Sequence, residues 1–180
     1  MKIEKEPYPA LYPVPVSLIT CDENIVTIAW IGTACYDPPM LCFAIRPERF
    51  SHDLIEKSKD FVVNIPKKEI LKEMDFCGMV SGRNVNKFEK TKFTKIKARK
   101  VSSPLIKECP VNIECRLEKI VPLGTHDLFI GRIVAVNIDE ELIENGKINY
   151  KKAEPICYVK GEYWSLGDVI GRYGFSKRKE

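Results

Sequence analysis

The sequence predicts a mainly β protein, an antiparallel barrel with helices on its flank, and three observations carry that expectation. Short runs rich in β-branched and aromatic residues recur, among them VSLIT (Val16 to Thr20), MLCFAIR (Met40 to Arg46) and FVVNI (Phe61 to Ile65). From Val111 to Leu117, in VNIECRL, apolar and polar residues alternate with the period of two of a half-buried strand. The strand pairs are joined by turns rather than by helical crossovers, which argues against a parallel, doubly wound sheet.

The elements follow in order. Pro7, Pro9, Pro13 and Pro15 each fix φ and withhold a donor, so residues 1–13 read as an extended arm. Strands are expected at Val16 to Thr20 and Ile25 to Gly32, with CDEN (Cys21 to Asn24) as a hairpin-like turn between them. After Pro38-Pro39 comes the Met40 to Arg46 strand. Ser51 is the expected N-cap of a helix running to Ser58, with Asp53 favoured in its first turn by the helix dipole. Pro66 suits the first position of a second helix. There Ile70, Leu71, Met74 and Cys77 share one apolar face, and Gly78 or Gly82 stops it. From Leu128 to Ile138 the even positions are apolar apart from Arg132, and VPLGT (Val121 to Thr125) supplies the turn before them. The last strand falls near Ile156 to Trp164, and residues 168–180 form a basic tail. With no internal repeat, the whole of 1–180 reads as one domain.

Composition narrows the function classes. A chain of 180 residues with 44% hydrophobic and 30% charged residues can bury a full core and is not of the disordered class. Its 29 basic and 25 acidic residues leave a net charge of +4, short of the imbalance of a dedicated nucleic-acid binder. No apolar run reaches the roughly 18 residues of a membrane span, and the start lacks a signal peptide's apolar core. The seven cysteines include no C-x-x-C pair and read as reduced, mostly buried thiols of a cytoplasmic protein. Two histidines without such a pair argue against zinc.

Several motifs of chemistry are missing or misleading. Neither G-x-G-x-x-G nor G-x-x-x-x-G-K-[ST] occurs. Ser51-His52-Asp53 is no triad, because consecutive residues cannot relay a proton in line. The stretch KFEKTKFTKIKARK (Lys87 to Lys100) interleaves cations with Phe88 and Phe93. It is either a single-stranded nucleic-acid groove with aromatic platforms or a solvated strand or loop whose phenylalanines point inward. No nucleic-acid motif accompanies it, so the second reading is adopted and no nucleic-acid partner is expected.

The segment NIVTIAWIGTACYDPPMLCFAIRPERFSHDLI (Asn24 to Ile55) holds what a planar, phosphate-bearing ligand needs. Asn24 and Thr27 offer polar partners on a strand that also carries Ala29 and the aromatic Trp30. Arg46, Arg49 and Ser51 at a helix start could hold a phosphate. SGRNVNKF (Ser81 to Phe88) adds Ser81 and the cation Lys87. By itself His126, after a Gly-Thr turn, is a polar loop residue or a ligand contact.

The order PVSLIT, NIVTIAW, PPMLCFAIRPERFSHDLI, FVVNIP, SGRNVNKF resembles the flavin reductase-like family, in the style of its flavoredoxin branch, from about Pro13 to Gly167. The resemblance implies an FMN-binding split β-barrel and FMN bound non-covalently near a homodimer interface. It places Asn24, Trp30, Ser51, Lys87 and His126 around the flavin, with Tyr158, or else Tyr163, as an aromatic near the ring. It implies an oxidoreductase moving electrons from NADH or NADPH through FMN to a flavin, ferric chelate or redox protein. The alternative is a flavoredoxin-type electron carrier without its own nicotinamide activity. No side chain is then required as acid, base or nucleophile, because the cofactor carries the chemistry.

Overall fold

The computed structural model describes residues 1–177. The arm leads into β1 (Val14–Pro15), followed by β2 (Ser17–Cys21), β3 (Asn24–Ile28), β4 (Ile31–Cys35) and β5 (Met40–Ile45). Next come α1 (Phe50–Ser58), β6 (Asp60–Ile65), α2 (Leu71–Met79) and the short α3 (Lys87–Thr91). The two-residue strands β7 (Lys95–Ile96) and β8 (Leu105–Ile106) precede the long β9 (Val111–Pro122) and β10 (Asp127–Ile138). A ribbon of β11 (Ile143–Glu144) and β12 (Lys147–Ile148), helix α4 (Tyr150–Ala153), and a hairpin of β13 (Ile156–Val159) and β14 (Glu162–Ser165) follow.

Seven strands form one antiparallel sheet in the order β3-β2-β6-β9-β10-β5-β4. Its edge strands β3 and β4 are joined only by Ala29 and Trp30. Laid flat, such a sheet would hold its edges roughly 29 Å apart, at about 4.8 Å per strand, whereas that link reaches about 11 Å. The sheet therefore curls until its edges meet. The result is the split barrel expected.

Aromatic rings fill it. Phe43 stacks on Phe129 at 5.3 Å between centroids and meets Phe61 edge-on at 5.2 Å, all three fully buried. Gly131 leaves the space that the Phe61 ring occupies. Outside the barrel, Met74 and Cys77 of α2 pack with Val16, Leu18, Ile25 and Phe88 in a second cluster.

Several local expectations are corrected. Arg49, not Ser51, caps α1, and it does so without a side-chain bond; Ser51 lies inside the first turn, its hydroxyl held by Asn24. The second helix does not begin at Pro66: a 3₁₀ turn, Lys68–Ile70, precedes α2, which then runs through Gly78. Ile70, Met74 and Cys77 are buried at helical spacing, while Leu71, about 100° around the axis, stays 37% exposed. The strand expected over Ile25 to Gly32 breaks at Ala29–Trp30 to pass from one sheet edge to the other. The last strand is a hairpin, turning through Lys160 and Gly161, both at positive φ, and it joins β1 in a separate three-stranded sheet. On β10 the buried residues are Phe129 and Gly131, so the apolar even face, with Leu128 and Ile130, lies on the barrel's outside.

Within the basic stretch Phe88 and Phe93 are buried, 4% and 7% exposed, and are therefore no stacking platform for bases. All seven cysteines are free, with Cys21, Cys77, Cys109 and Cys115 buried. Among the described residues no helix is long and apolar enough to cross a membrane. Residues 178–180 of the expected tail lie outside the described residues.

Candidate functional site

A cleft opens where the barrel is split. It has two adjoining lobes of about 270 and 280 Å³, and Val26, Arg49 and Gly78 line both. Together they fall in the range of about 300–1,000 Å³ typical of small-molecule sites.

The first lobe is polar and is lined by Asn24, Arg49, Ser51, Ser81, Gly82 and Lys87. Three elements converge there: the start of β3, the first turn of α1 and the loop between α2 and α3. Asn24 Nδ2 donates to Ser51 Oγ at 2.7 Å, tying strand to helix. Lys87 is 3% exposed, and its Nζ donates to Ile25 O at 2.6 Å and Cys77 O at 2.7 Å. Burial pulls its pKa down, and the nearby Arg49 adds to the effect. Among the described residues no carboxylate pairs with it. A buried cation without a counter-ion favours an anion beside it.

Asn24 Oδ1 is buried and accepts no hydrogen bond. It lies against Gly82, where an added Cβ would overlap it, so glycine is required at that close approach. A buried acceptor lacking a donor costs about 1–3 kcal/mol.

The second lobe is flatter and more aromatic. Tyr12, Thr27, Ala29, Trp30, Arg46, His126 and Tyr158 line it. Trp30 and His126 lie with ring centroids 4.8 Å apart, and Thr125 Oγ1 is 3.0 Å from His126 Nδ1. The Thr27 hydroxyl does not face the lobe for a ligand's use: it donates to Met74 O on α2. Gly78 of α2 sits against Thr27, a Cβ there coming within 3.1 Å of the Thr27 Cβ, so the helix approaches β3 closely.

Burial pushes the thiol of Cys21 up to about 12 and that of Cys77 up to about 11, so neither supplies a thiolate near neutral pH.

Of the ten residues selected from sequence, Asn24, Ser51, Ser81 and Lys87 line the polar lobe and the other six line the aromatic one. Arg46 thus lies in the other lobe from Ser51, Ser81 and Lys87, and Arg49 is the arginine that reaches both lobes. Tyr12, Gly78 and Gly82 were not selected. Gly78 had a signal, a glycine inside a helical pattern, which marks a close packing partner. Tyr12 had none, being one residue of a proline-rich arm. The assembled residues fit a flavin mononucleotide: cations and hydroxyls at one end and a flat aromatic lobe at the other.

A family profile described as "Flavin reductase like domain" matches residues 10–167. The chain belongs to the flavin reductase-like family. A protein of Archaeoglobus fulgidus is 39% identical over 146 residues, 78% of this chain and 82% of that one. The structure of flavoredoxin of Desulfovibrio vulgaris (Miyazaki F) matches with a TM-score of 0.92 at 26% identity, over 99% of this chain and 100% of that chain. Flavoredoxin from Methanosarcina acetivorans matches with a TM-score of 0.92 at 28% identity, over 99% and 98% of the two chains. The split barrel is thus shared with other flavin reductase-like proteins.

Proposed function

We propose that this flavin reductase-like protein binds FMN in the two-lobed cleft and works as an oxidoreductase. The observation that carries the reading is the convergence of Asn24, Ser51, Ser81 and Lys87 in one lobe and of Trp30, His126 and Tyr158 in the lobe adjoining it, from separate segments. Arg49, Ser51, Ser81 and Lys87 hold the phosphate, Arg49 and Lys87 by charge-assisted hydrogen bonds. Trp30, His126 and Tyr158 wall the ring, and Ala29 leaves room beside it. The redox chemistry is the cofactor's: two electrons taken from NADH or NADPH and passed to a flavin, a ferric chelate or a redox protein. The chain's own part is to bind, orient the ring and exclude water.

A second reading has its own support. The matches to flavoredoxins over nearly the full length of both chains favour an electron carrier without its own nicotinamide activity. Mixing the FMN-loaded protein anaerobically with NADH and with NADPH separates the two: bleaching of the flavin absorbance sustains the reductase, and its absence with both donors sustains the carrier. The site itself is tested first. FMN should bind at about one per chain and at least tenfold tighter than riboflavin, because the phosphate contacts are charge-assisted. Equal affinity for the two would remove the polar lobe from the site.

A homodimer in the cytoplasm completes the proposal. The outer β10 face with Leu128 and Ile130 is apolar and half-exposed, as a subunit contact would require. Seven free cysteines suit a reducing compartment.

A further inference from the structure

The hairpin β13–β14 carries Tyr158 to the aromatic lobe, yet it belongs to the small sheet with β1 and pairs with no strand of the barrel. Its base is fixed: Ile156 is buried in the second cluster, and Val16 N donates to Ile156 O at 3.1 Å. Its far end turns at Lys160–Gly161 in solvent. Between base and tip, β13 pairs with β1, and Tyr158 and Tyr163 pack against the second cluster. Among the described residues one side-chain hydrogen bond joins the hairpin to the body of the protein. Tyr163 OH donates to Asp75 Oδ1 of α2 at 2.7 Å. Tyr163 pairs directly with Tyr158 across the hairpin, their ring centroids 5.9 Å apart, and Tyr158 in turn meets Tyr12 at 6.2 Å.

A row of three tyrosines therefore runs from α2 to the arm, and Tyr12 and Tyr158 are walls of the lobe. The same helix is also tied to β3, another lining element of the lobe, since Met74, the residue before Asp75, accepts from the Thr27 hydroxyl. Burial, and then the Asp75 carboxylate, hold the Tyr163 phenol well above its usual pKa, so it remains a donor throughout the physiological range.

We propose that the Tyr163–Asp75 hydrogen bond is a latch that holds the β13–β14 hairpin closed on the ring end of the cleft, so that ligand exchange requires its release. Tyr163 and Asp75 are positioning residues, acting through Tyr158. The proposal rests on the FMN reading for its ligand, but not for its mechanics.

The test uses Tyr163→Phe, which keeps the ring, and Asp75→Ala in the full chain. FMN dissociation, followed by recovery of free-flavin fluorescence after dilution, should be roughly tenfold faster in each, the ordinary effect of losing a hydrogen bond to a charged group. The double variant should be no faster than either single one, because one bond is lost in all three. Asp75→Asn, which keeps an acceptor, should restore most of the slow release. Amide hydrogen exchange of the apo protein over residues 156–165 supplies a readout without flavin, and should quicken in Tyr163→Phe while the β9 and β10 amides stay unchanged. Faster hairpin exchange with unaltered FMN release overturns the latch, as do additive effects of the two substitutions. If the wild-type chain retains no FMN, the cofactor reading fails and the exchange data alone decide: quickened hairpin amides sustain the latch, and unchanged ones overturn it.

Discussion

Lys87 is almost fully buried, with its ammonium on two backbone carbonyls, and this decides how its removal will read out. Lys87→Met keeps the length of the side chain and removes the charge. It strips Ile25 O and Cys77 O of their donor, costing stability about 1–3 kcal/mol, and should weaken FMN binding roughly ten- to a hundredfold. Lys92→Ala, at an exposed position, should change neither quantity measurably. Paired flavin titrations and thermal melts of both variants check this; equal effects would show that general charge, not the buried ammonium, attracts the ligand. The residue types of the site were legible because hydroxyls, amides and cations in two short segments have few other reasons to cluster. Their partners were not. That Thr27 turns its hydroxyl to Met74, or that Asn24 lies under Gly82, depends on how closely α2 and the 81–84 loop approach β3, and no local pattern encodes that distance.

Among the elements, the barrel strands were legible and the ends of segments were not. The apolar–polar alternation of β9 marked a strand. Its polar positions Asn112 and Glu114 are buried as well, each in hydrogen bonds, so the strand is not half-buried as its pattern implied. Alternation does not mark a chain that leaves one sheet edge for the other, so the break at Ala29–Trp30 was missed. Ser51 has a capping residue's chemistry, but its hydroxyl is engaged by Asn24, a partner 27 positions away. A different long-range contact sets the acid response of the barrel. Glu114, buried on β9, accepts from the backbone N–H groups of Arg99 and Lys100 at 3.1 and 2.6 Å and from Asn137 Nδ2 at 2.9 Å. Burial alone would raise its pKa; these donors outweigh it and leave the carboxyl below its ordinary value of 4.5. The unfolded chain therefore binds the proton more readily. This contribution to stability is complete above pH 4.5 and is lost as the pH falls through the lower folded value. Denaturant melts between pH 6 and the acid limb should show the loss in the wild type and a flatter slope in Glu114→Gln. An identical slope in both would assign the acid response to other carboxylates.

For the whole molecule, surface area is the informative quantity. The chain exposes 12312 Å², whereas a compact monomer of 20.6 kDa is expected to expose about 8,900 Å². The excess is apolar in part, with Leu11 of the arm, Trp164 of β14, and Val169, Ile170 and Tyr173 of the C-terminal tail all more than half exposed. An obligate dimer buries about 1,000–2,500 Å² of each subunit, so a second copy is enough to absorb much of this excess. Sedimentation at micromolar concentration should return about twice the mass of the 20.6 kDa chain. A monomer that still holds FMN would leave this excess without its explanation.

The split in the barrel has one more effect. Because β3 pairs only with β2 among the described residues, one row of its peptide groups has no strand to bond. Ile25 O belongs to that row and is already taken by Lys87. In an antiparallel ladder outward-facing groups recur every second residue, so those of Thr27 share its direction, toward the wall of the cleft. A ligand lying there meets main chain as well as side chain. Recognition of this kind leaves no mark on composition, survives replacement of every side chain around it, and is lost only when the strand itself shifts. Alanine scanning would therefore undercount contacts of this kind, and chains of low identity can keep them with few letters in common.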